Sequence, residues 1–90
     1  MKEFKYDVAV IGLGYVGLPL AVEASINDVK VLGYDVNENL VSNLQSGKTH
    51  VEDISEELLV EALNHSLVIT TDSSELAKAC LLYTSDAADE

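Results

Sequence analysis

The stretch that decides the fold runs from Tyr6 to Gly17 and reads YDVAVIGLGYVG. Its first half ends in a continuous apolar run, as expected for a parallel strand that is buried on both faces. Three glycines at G-x-G-x-x-G spacing follow at once, and the residues from Leu18 to Ser25 are typical of a helix. Pro19 is tolerated there because the first helical turn does not need its missing N–H. The stretch therefore predicts a strand, a glycine turn and a helix.

A second strand completes the pattern that a dinucleotide requires. Residues 29–34 are apolar and β-branched, and Asp35 stands at their end, about 20 residues beyond the glycine motif. In such a unit Gly12 permits the tight turn, Gly14 lets a pyrophosphate approach the backbone, and Gly17 lets helix and strand pack closely. The pyrophosphate then meets the N–H groups at the helix amino terminus. Asp35 is predicted to accept hydrogen bonds from the adenosine ribose hydroxyls, which favours NAD over NADP.

The remaining residues predict an α/β fold, a Rossmann-type parallel sheet with flanking helices that is truncated after about three strands. The first expected helix is capped by Asn37, carries Leu40, Val41 and Leu44 on one face and stops at Gly47, and a loop from Lys48 to Asp53 follows it. The next helix is capped by Ser55 and carries Leu58, Leu59, Ala62 and Leu63, with Ile54 and Leu59 as a hydrophobic staple. A strand from Leu67 to Thr70 and a short helix, opened by Asp72 and Glu75 and running through Ala79, complete the pattern.

The last ten residues, from Leu81 to Glu90, depart from this alternation. After a helix, an α/β chain is expected to supply an apolar strand, but here a few apolar residues lead into an acidic, alanine-rich end. The string resembles translated sequencing-adapter sequence. We therefore expect a partial NAD-binding Rossmann domain over residues 1–80 and a non-native tail over residues 81–90 that adds little to stability.

The composition restricts the partners of the chain. Its net charge is −11, with 16 acidic residues and no arginine, so it repels phosphate backbones and we expect no nucleic acid as partner. No apolar run has the length of a membrane span, and the amino terminus has no signal-peptide core, so we expect a cytoplasmic protein without a membrane partner. Without arginine, backbone N–H groups must provide most of the contacts to a pyrophosphate.

The cysteine, the histidines and the remaining acidic residues form no further catalytic or metal-binding motif. Cys80 is the single cysteine, and a single cysteine is far more often a small buried apolar residue than a nucleophile. His50 and His65 have no third ligand at metal-binding spacing, so we expect loop or helix-end residues and predict no metal site. The acidic residues around Glu56 are explained by a solvated helix start.

Residues 10–21, which read VIGLGYVGLPLA, resemble the opening of the UDP-glucose and GDP-mannose dehydrogenase superfamily. Residues 46–54 and 70–72 are similar to its UDP-N-acetylhexosamine branch, and the resemblance extends from residue 6 to about residue 80. It implies that Tyr15 and Val16 present backbone to the cofactor and that Asp35 holds its ribose. Many relatives carry a lysine or arginine five residues after this acid, where Leu40 stands here. Either cofactor affinity is lower, or another residue compensates.

The resemblance implies an NAD-dependent nucleotide-sugar 6-dehydrogenase whose intact form uses two NAD⁺ to oxidise C6 of a UDP-N-acetylhexosamine to the uronic acid. It also implies a homo-oligomer that contributes to surface-polysaccharide synthesis. The catalytic cysteine, lysine and asparagine of the family lie downstream, and Cys80 matches none of them. We therefore assign no catalytic residue and expect the fragment alone to be inactive. Two alternatives remain open, another Rossmann dehydrogenase of the UDP-glucose or 3-hydroxy acid type, and a non-enzymatic NAD-sensing module.

Overall fold

A parallel β-sheet organises the computed structural model, which describes residues 4–52 and 54–84. The four strands lie in the order β3-β2-β1-β4, and every neighbouring pair is parallel. All four carboxyl ends therefore meet at one edge of the sheet, which places Gly12 beside Asp35. The strands are β1 (Tyr6–Ile11), β2 (Val31–Tyr34), β3 (Leu67–Thr70) and β4 (Ala79–Thr84).

Three α-helices flank the sheet, and two of them begin at caps that the sequence predicted. They are α1 (Gly17–Ile26), α2 (Glu38–Gln45) and α3 (Glu56–His65), followed by a 3₁₀ helix over Ser73–Lys78. The Asn37 side chain accepts a hydrogen bond from the Leu40 N–H at 3.0 Å, and the Ser55 hydroxyl accepts one from the Leu58 N–H at 3.1 Å. Gly47 ends α2 with φ of +88°, a conformation that favours glycine. These predicted caps and this predicted stop are confirmed.

The apolar residues form two clusters. The larger joins the helices to the sheet, and its fully buried large residues are Val10, Leu13, Leu18, Val22, Val31, Leu44 and Leu59. The smaller contains Tyr6, Ala9, Leu32 and Ala79, with Leu76 of the 3₁₀ helix packed against it. Because successive strand residues point to opposite faces, Ala9 and Leu32 lie on the face opposite Val10 and Val31. The sheet is thus buried on both faces near β1 and β2, as the apolar runs predicted.

One buried polar residue connects α1 to α3. The Ser25 side chain is 0% exposed, and its hydroxyl donates to the Ala62 carbonyl at 3.1 Å. It also lies 3.0 Å from the Ser66 hydroxyl and accepts from the Ser66 N–H.

In the described residues no helix is long and apolar enough to cross a membrane.

The structure corrects two expectations near the carboxyl end. The sheet has four strands rather than about three, because residues 81–84 continue β4 and pair with β1, Leu81 opposite Val8 and Tyr83 opposite Val10. Residues 85–90 of the expected tail lie outside the described residues. Cys80 is exposed rather than buried, because β4 is an edge strand. The predicted short helix after Asp72 is present as the 3₁₀ helix.

Candidate cofactor-binding site

The glycine turn begins directly at the end of β1. Gly12 has φ of +96°, which L side chains rarely adopt. Its N–H donates to the Tyr34 carbonyl of β2 at 2.8 Å, so the turn starts while the backbone is still paired with the neighbouring strand. The chain then reverses into α1 within a few residues. This conformation is the physical reason for the first glycine of the motif.

Gly17, the third glycine of the motif, lies at the start of α1 in close contact with the turn. A Cβ at Gly17 would overlap the carbonyl oxygen of Gly12 and lie 3.4 Å from Cγ1 of Val10. Glycine therefore lets α1 approach the end of β1, and its amino terminus points at the space above the turn. In the first turn of α1 the Leu18 N–H already donates to the Gly14 carbonyl at 3.1 Å, and Pro19 has no N–H. The N–H groups of Tyr15, Val16 and Gly17 are therefore the donors that suit an anionic group at this end.

Asp35 connects the end of β2 to the glycine turn. Its Oδ2 accepts a hydrogen bond from the Leu13 N–H at 2.9 Å, and its Oδ1 accepts one from the Asn37 N–H at 2.9 Å. Leu13 is itself buried above Gly33, where an added Cβ would lie 3.2 Å from Leu13 Cδ2. The carboxylate is thus held by two backbone donors, and each oxygen retains a further lone pair for a ligand hydroxyl.

A cleft of about 390 Å³ opens between these groups, lined by Gly14, Tyr15, Asp35, Val36, Asn37, Leu40 and His50. The structure therefore brings three predicted site residues, Gly14, Tyr15 and Asp35, to one cavity. Gly12 and Gly17 are buried and shape the turn beneath it. Val16 is exposed and occupies the position before the first residue of α1, where its side chain makes no capping hydrogen bond. A glycine turn, a helix amino terminus and a carboxylate beside the cleft are the groups that a dinucleotide requires, so the residues present fit NAD.

His50 is a cleft residue that the sequence did not indicate. Its ring lies edge-on to the ring of Tyr15, with 6.0 Å between centroids and an interplanar angle of 63°. Tyr15 is 60% exposed despite this contact. His65 lies elsewhere, where its Nε2 is 2.7 Å from Asp28 Oδ1. The expectation that both histidines are loop or helix-end residues is confirmed, but His50 also forms one wall of the cleft.

Acidic side chains also lie at the carboxyl edge of the sheet near β3. Asp72 follows this strand and caps the 3₁₀ helix, accepting hydrogen bonds from the Ser74 hydroxyl at 2.7 Å and the Ser74 N–H at 3.0 Å. These bonds lower the pKa of the Asp72 carboxyl below its ordinary value. Asp72 and Asp35 together give this edge of the sheet a negative character.

The glycine turn, α1 and Asp35 all lie within a stretch that matches a known protein family. The family described as the UDP-glucose/GDP-mannose dehydrogenase family, NAD binding domain, matches residues 6–84. The chain belongs to this family. Because the family is defined by its NAD-binding domain, the cofactor is NAD rather than an unspecified dinucleotide.

Named relatives and solved structures agree with the family assignment. The chain is 37% identical over 83 residues to a UDP-N-acetyl-D-mannosamine dehydrogenase of Campylobacter jejuni, a match covering 91% of this chain and 20% of the relative. It is 41% identical over 76 residues to a UDP-N-acetyl-D-glucosamine 6-dehydrogenase of Salmonella typhi, covering 84% and 17% respectively. The structure of a UDP-D-ManNAc dehydrogenase from Pyrococcus horikoshii superposes with a TM-score of 0.81 at 30% identity, covering 87% of this chain and 19% of that one.

A second solved relative is a ternary complex of GDP-mannose dehydrogenase from Pseudomonas aeruginosa. It gives a TM-score of 0.79 at 28% identity and covers 88% of this chain and 19% of that one. The Rossmann-type parallel sheet that the sequence predicted is therefore confirmed by both the architecture and these superpositions. The chain spans about a fifth of the length of the curated relatives that it matches.

Proposed function

We propose that this chain is the NAD-binding portion of a nucleotide-sugar 6-dehydrogenase that oxidises C6 of a UDP-N-acetylhexosamine to the uronic acid with two NAD⁺. Support for the sugar class comes from relatives named as UDP-N-acetyl-D-mannosamine and UDP-N-acetyl-D-glucosamine dehydrogenases. The observation that carries the cofactor role is the Asp35 carboxylate, fixed by two backbone donors beside the glycine turn.

Each residue of the proposed site has a distinct part. Gly12 and Gly17 set the turn, and Gly14 leaves room for the pyrophosphate to approach the backbone. Tyr15 and Val16 present the backbone at the amino terminus of α1 to this group. Asp35, discussed above, accepts hydrogen bonds from the adenosine ribose. Bound NAD supplies the hydride-acceptor chemistry, while these residues bind and orient it.

Catalysis belongs to parts of the enzyme beyond these residues. Cys80 is the second residue of β4 and so lies towards the amino edge of the parallel sheet. The cleft lies at the opposite, carboxyl edge. A thiol in this place is not positioned to attack a substrate carbon beside the nicotinamide. The fragment alone is therefore proposed to bind NAD without oxidising a sugar.

The intact enzyme is further proposed to act on a UDP-sugar as a homo-oligomer in the cytoplasm, without nucleic acid or membrane as partner. The net charge of −11 supports the exclusion of nucleic acid, because such a surface repels phosphate backbones.

The test separates binding from catalysis. Calorimetric titration of the 90-residue chain should give saturable binding of NAD, with NADP at least tenfold weaker and no NADH formed from any UDP-sugar. The intact gene product should form two NADH per UDP-N-acetylhexosamine consumed. An intact product that oxidises only UDP-glucose, or only a 3-hydroxy acid, contradicts the proposed substrate. A product that binds NAD and oxidises nothing supports a sensing module instead.

A further inference from the structure

The lysines of the described residues are unevenly distributed about the sheet. Lys5, Lys30 and Lys78 directly precede β1, β2 and β4, so all three lie at the amino edge. Two of them are engaged there, Lys78 with Glu75 at 2.9 Å and Lys5 at 5.5 Å from the centroid of the Tyr6 ring. Lys48 is the described lysine on the side of the cleft. Lys2 lies outside the described residues, and the chain has no arginine.

The backbone of Lys48 is fixed by the end of α2. The N–H of Gly47 donates to the Leu44 carbonyl at 3.0 Å, and the N–H of Lys48 donates to the Asn43 carbonyl at 2.8 Å. This is the hydrogen-bond pattern of a Schellman motif, with Gly47 in the left-handed conformation that it requires. The position at which the lysine side chain leaves the backbone is therefore set by the helix end.

Lys48 lies beside the cofactor cleft. It lines a depression together with Leu40, Asn43, Thr49 and His50. Leu40 and His50 also line the cleft that contains Asp35, so the two cavities share a wall. The lysine side chain is exposed and flexible enough to reach along that wall, since its four-carbon stem carries a rotatable ammonium group.

The loop after Lys48 is tied to the glycine turn. The edge-on contact of His50 with Tyr15 joins the two segments across the cleft. Thr49 Oγ1 accepts a hydrogen bond from the Val51 N–H at 3.0 Å, and the Val51 side chain is buried in the core. These contacts hold the segment from Lys48 to Val51 at a defined place relative to the proposed pyrophosphate site.

An acidic protein that binds an anionic dinucleotide benefits from a cation near the cleft. At physiological ionic strength the electrostatic interaction of an exposed ammonium group is screened over a Debye length of about 8 Å. This distance is comparable to the dimensions of the cleft. We propose that Lys48 supplies the cationic contact to the phosphate group of the AMP half of NAD and reaches it along the wall formed by Leu40 and His50. This rests on the proposed function, in which the glycine turn binds NAD.

The test compares two lysines that carry the same charge. Lys48→Gln and Lys30→Gln each remove one positive charge from an exposed position of the full chain, one beside the cleft and one at the opposite edge. Calorimetric titration with NAD, AMP and adenosine measures the effect on each ligand. Lys48→Gln is expected to weaken NAD and AMP by roughly three- to fivefold and to leave adenosine within about twofold. Lys30→Gln should change all three by less than about twofold, and Lys48→Arg should restore NAD affinity.

The outcomes distinguish this proposal from the function on which it rests. Equal losses for the two glutamine variants, or equal losses of AMP and adenosine, overturn the role of Lys48. The proposed function survives that result if the wild-type chain binds NAD and Asp35→Ser weakens it. A wild-type chain that is folded by circular dichroism and binds no NAD overturns the proposed function and the role of Lys48 with it.

Discussion

Asp35 Oδ2 lies 2.9 Å from the backbone nitrogen of Leu13, although 22 residues separate them in the chain. The hydrogen bond closes the end of β2 onto the glycine turn at the end of β1. Because Oδ1 is bound by the Asn37 N–H at the same distance, the fold itself orients the carboxylate. A residue predicted as a cofactor ligand is therefore also part of the structure that shapes the turn, and we expect its replacement to change both NAD binding and stability.

Replacement of Asp35 by serine should reveal both roles. Asp35→Ser removes a charged acceptor from two backbone N–H groups, so the free energy of unfolding should fall by about 1–3 kcal/mol. Its affinity for NAD should fall about ten- to a hundredfold, while NADP should lose less because a repulsive charge disappears. Asp7→Ser is the control, because the Asp7 carboxylate also accepts a hydrogen bond from a backbone N–H, that of Lys30, but lies at the amino edge of the sheet, away from the cleft. Equal wild-type affinities for NAD and NADP contradict the role in cofactor choice.

Two glycines near the turn should tolerate alanine differently. At Gly17 the new methyl group would overlap the Gly12 carbonyl, which is backbone and cannot move without opening the turn. We expect a loss of about 3 kcal/mol in the free energy of unfolding and no measurable NAD binding. At Gly33 the methyl group would lie 3.2 and 3.3 Å from the two Cδ atoms of Leu13, which can shift by a few tenths of an ångström. A loss of about 1 kcal/mol is expected there. Urea denaturation measures both, and similar losses would refute this account.

The buried Ser25 should contribute to stability without affecting the cofactor. Ser25→Ala removes the hydroxyl that donates to Ala62 and accepts from the Ser66 N–H. The unfolding free energy should fall by about 1–3 kcal/mol, because buried polar groups lose their partner. NAD affinity should be unchanged, since the network joins the carboxyl-terminal ends of α1 and α3. Ser42→Ala, at an exposed position on α2, should stay within about 0.5 kcal/mol.

The elements around the glycine motif could be predicted because their signals are local. The apolar run over β1, the Asn37 and Ser55 caps and the Gly47 stop each depend on a few neighbouring residues. Contacts between distant segments carry no such signal. Nothing in the sequence pairs His50 with Tyr15, or Ser25 with Ser66, 41 residues later. For this reason the sequence did not indicate that His50 forms one wall of the cleft.

Two further features of the structure, the end of α1 and strand β4, were not indicated by the sequence and have physical causes of their own. The end of α1 carries Asp28 with φ of +71°, at the Schellman position that usually holds glycine. The N–H groups of Asp28 and Val29 still donate to Ser25 and Ala24, so the motif forms without its usual residue. The sequence predicted a short helix through Ala79 and a non-native tail from Leu81, because an acidic end follows the few apolar residues that could start a strand, so β4 over Ala79–Thr84 was not expected. It forms through backbone pairing with β1, while its side chains stay largely exposed.

The pair of Glu75 and Lys78 should make stability depend on pH at both extremes. The hydrogen bond from Lys78 is the main cause that lowers the pKa of Glu75 below 4.5, and the same bond raises the pKa of Lys78 above 10.5. Because the pKa of Glu75 is lower in the folded state, its ionised carboxylate stabilises the fold above about pH 4.5, and this stabilisation is lost as pH falls through the folded pKa. Because the pKa of Lys78 is higher in the folded state, its ammonium group stabilises the fold below about pH 10.5, and this stabilisation is lost as pH rises through the folded pKa. Glu75→Gln should flatten both limbs of the stability profile by a small amount, whereas Glu61→Gln, on the exposed face of α3, should leave them. Unchanged limbs in Glu75→Gln would contradict the pair's role.

Two truncations should divide the carboxyl end into a part that contributes to the fold and a part that does not. Removal of residues 85–90 is expected to change the free energy of unfolding by no more than about 0.5 kcal/mol, because that segment is predicted to be non-native. Removal of residues 81–90 also deletes the part of β4 that pairs with β1 from Val8 to Ile11. That loss should reach about 1–3 kcal/mol, since each ladder hydrogen bond contributes about 0.5–1.5 kcal/mol. Leu81 and Leu82 add little because they are 65% and 60% exposed. Equal unfolding midpoints for the two truncations would show that β4 contributes nothing beyond Cys80, and a large loss on removing residues 85–90 alone would show that the tail packs against the domain.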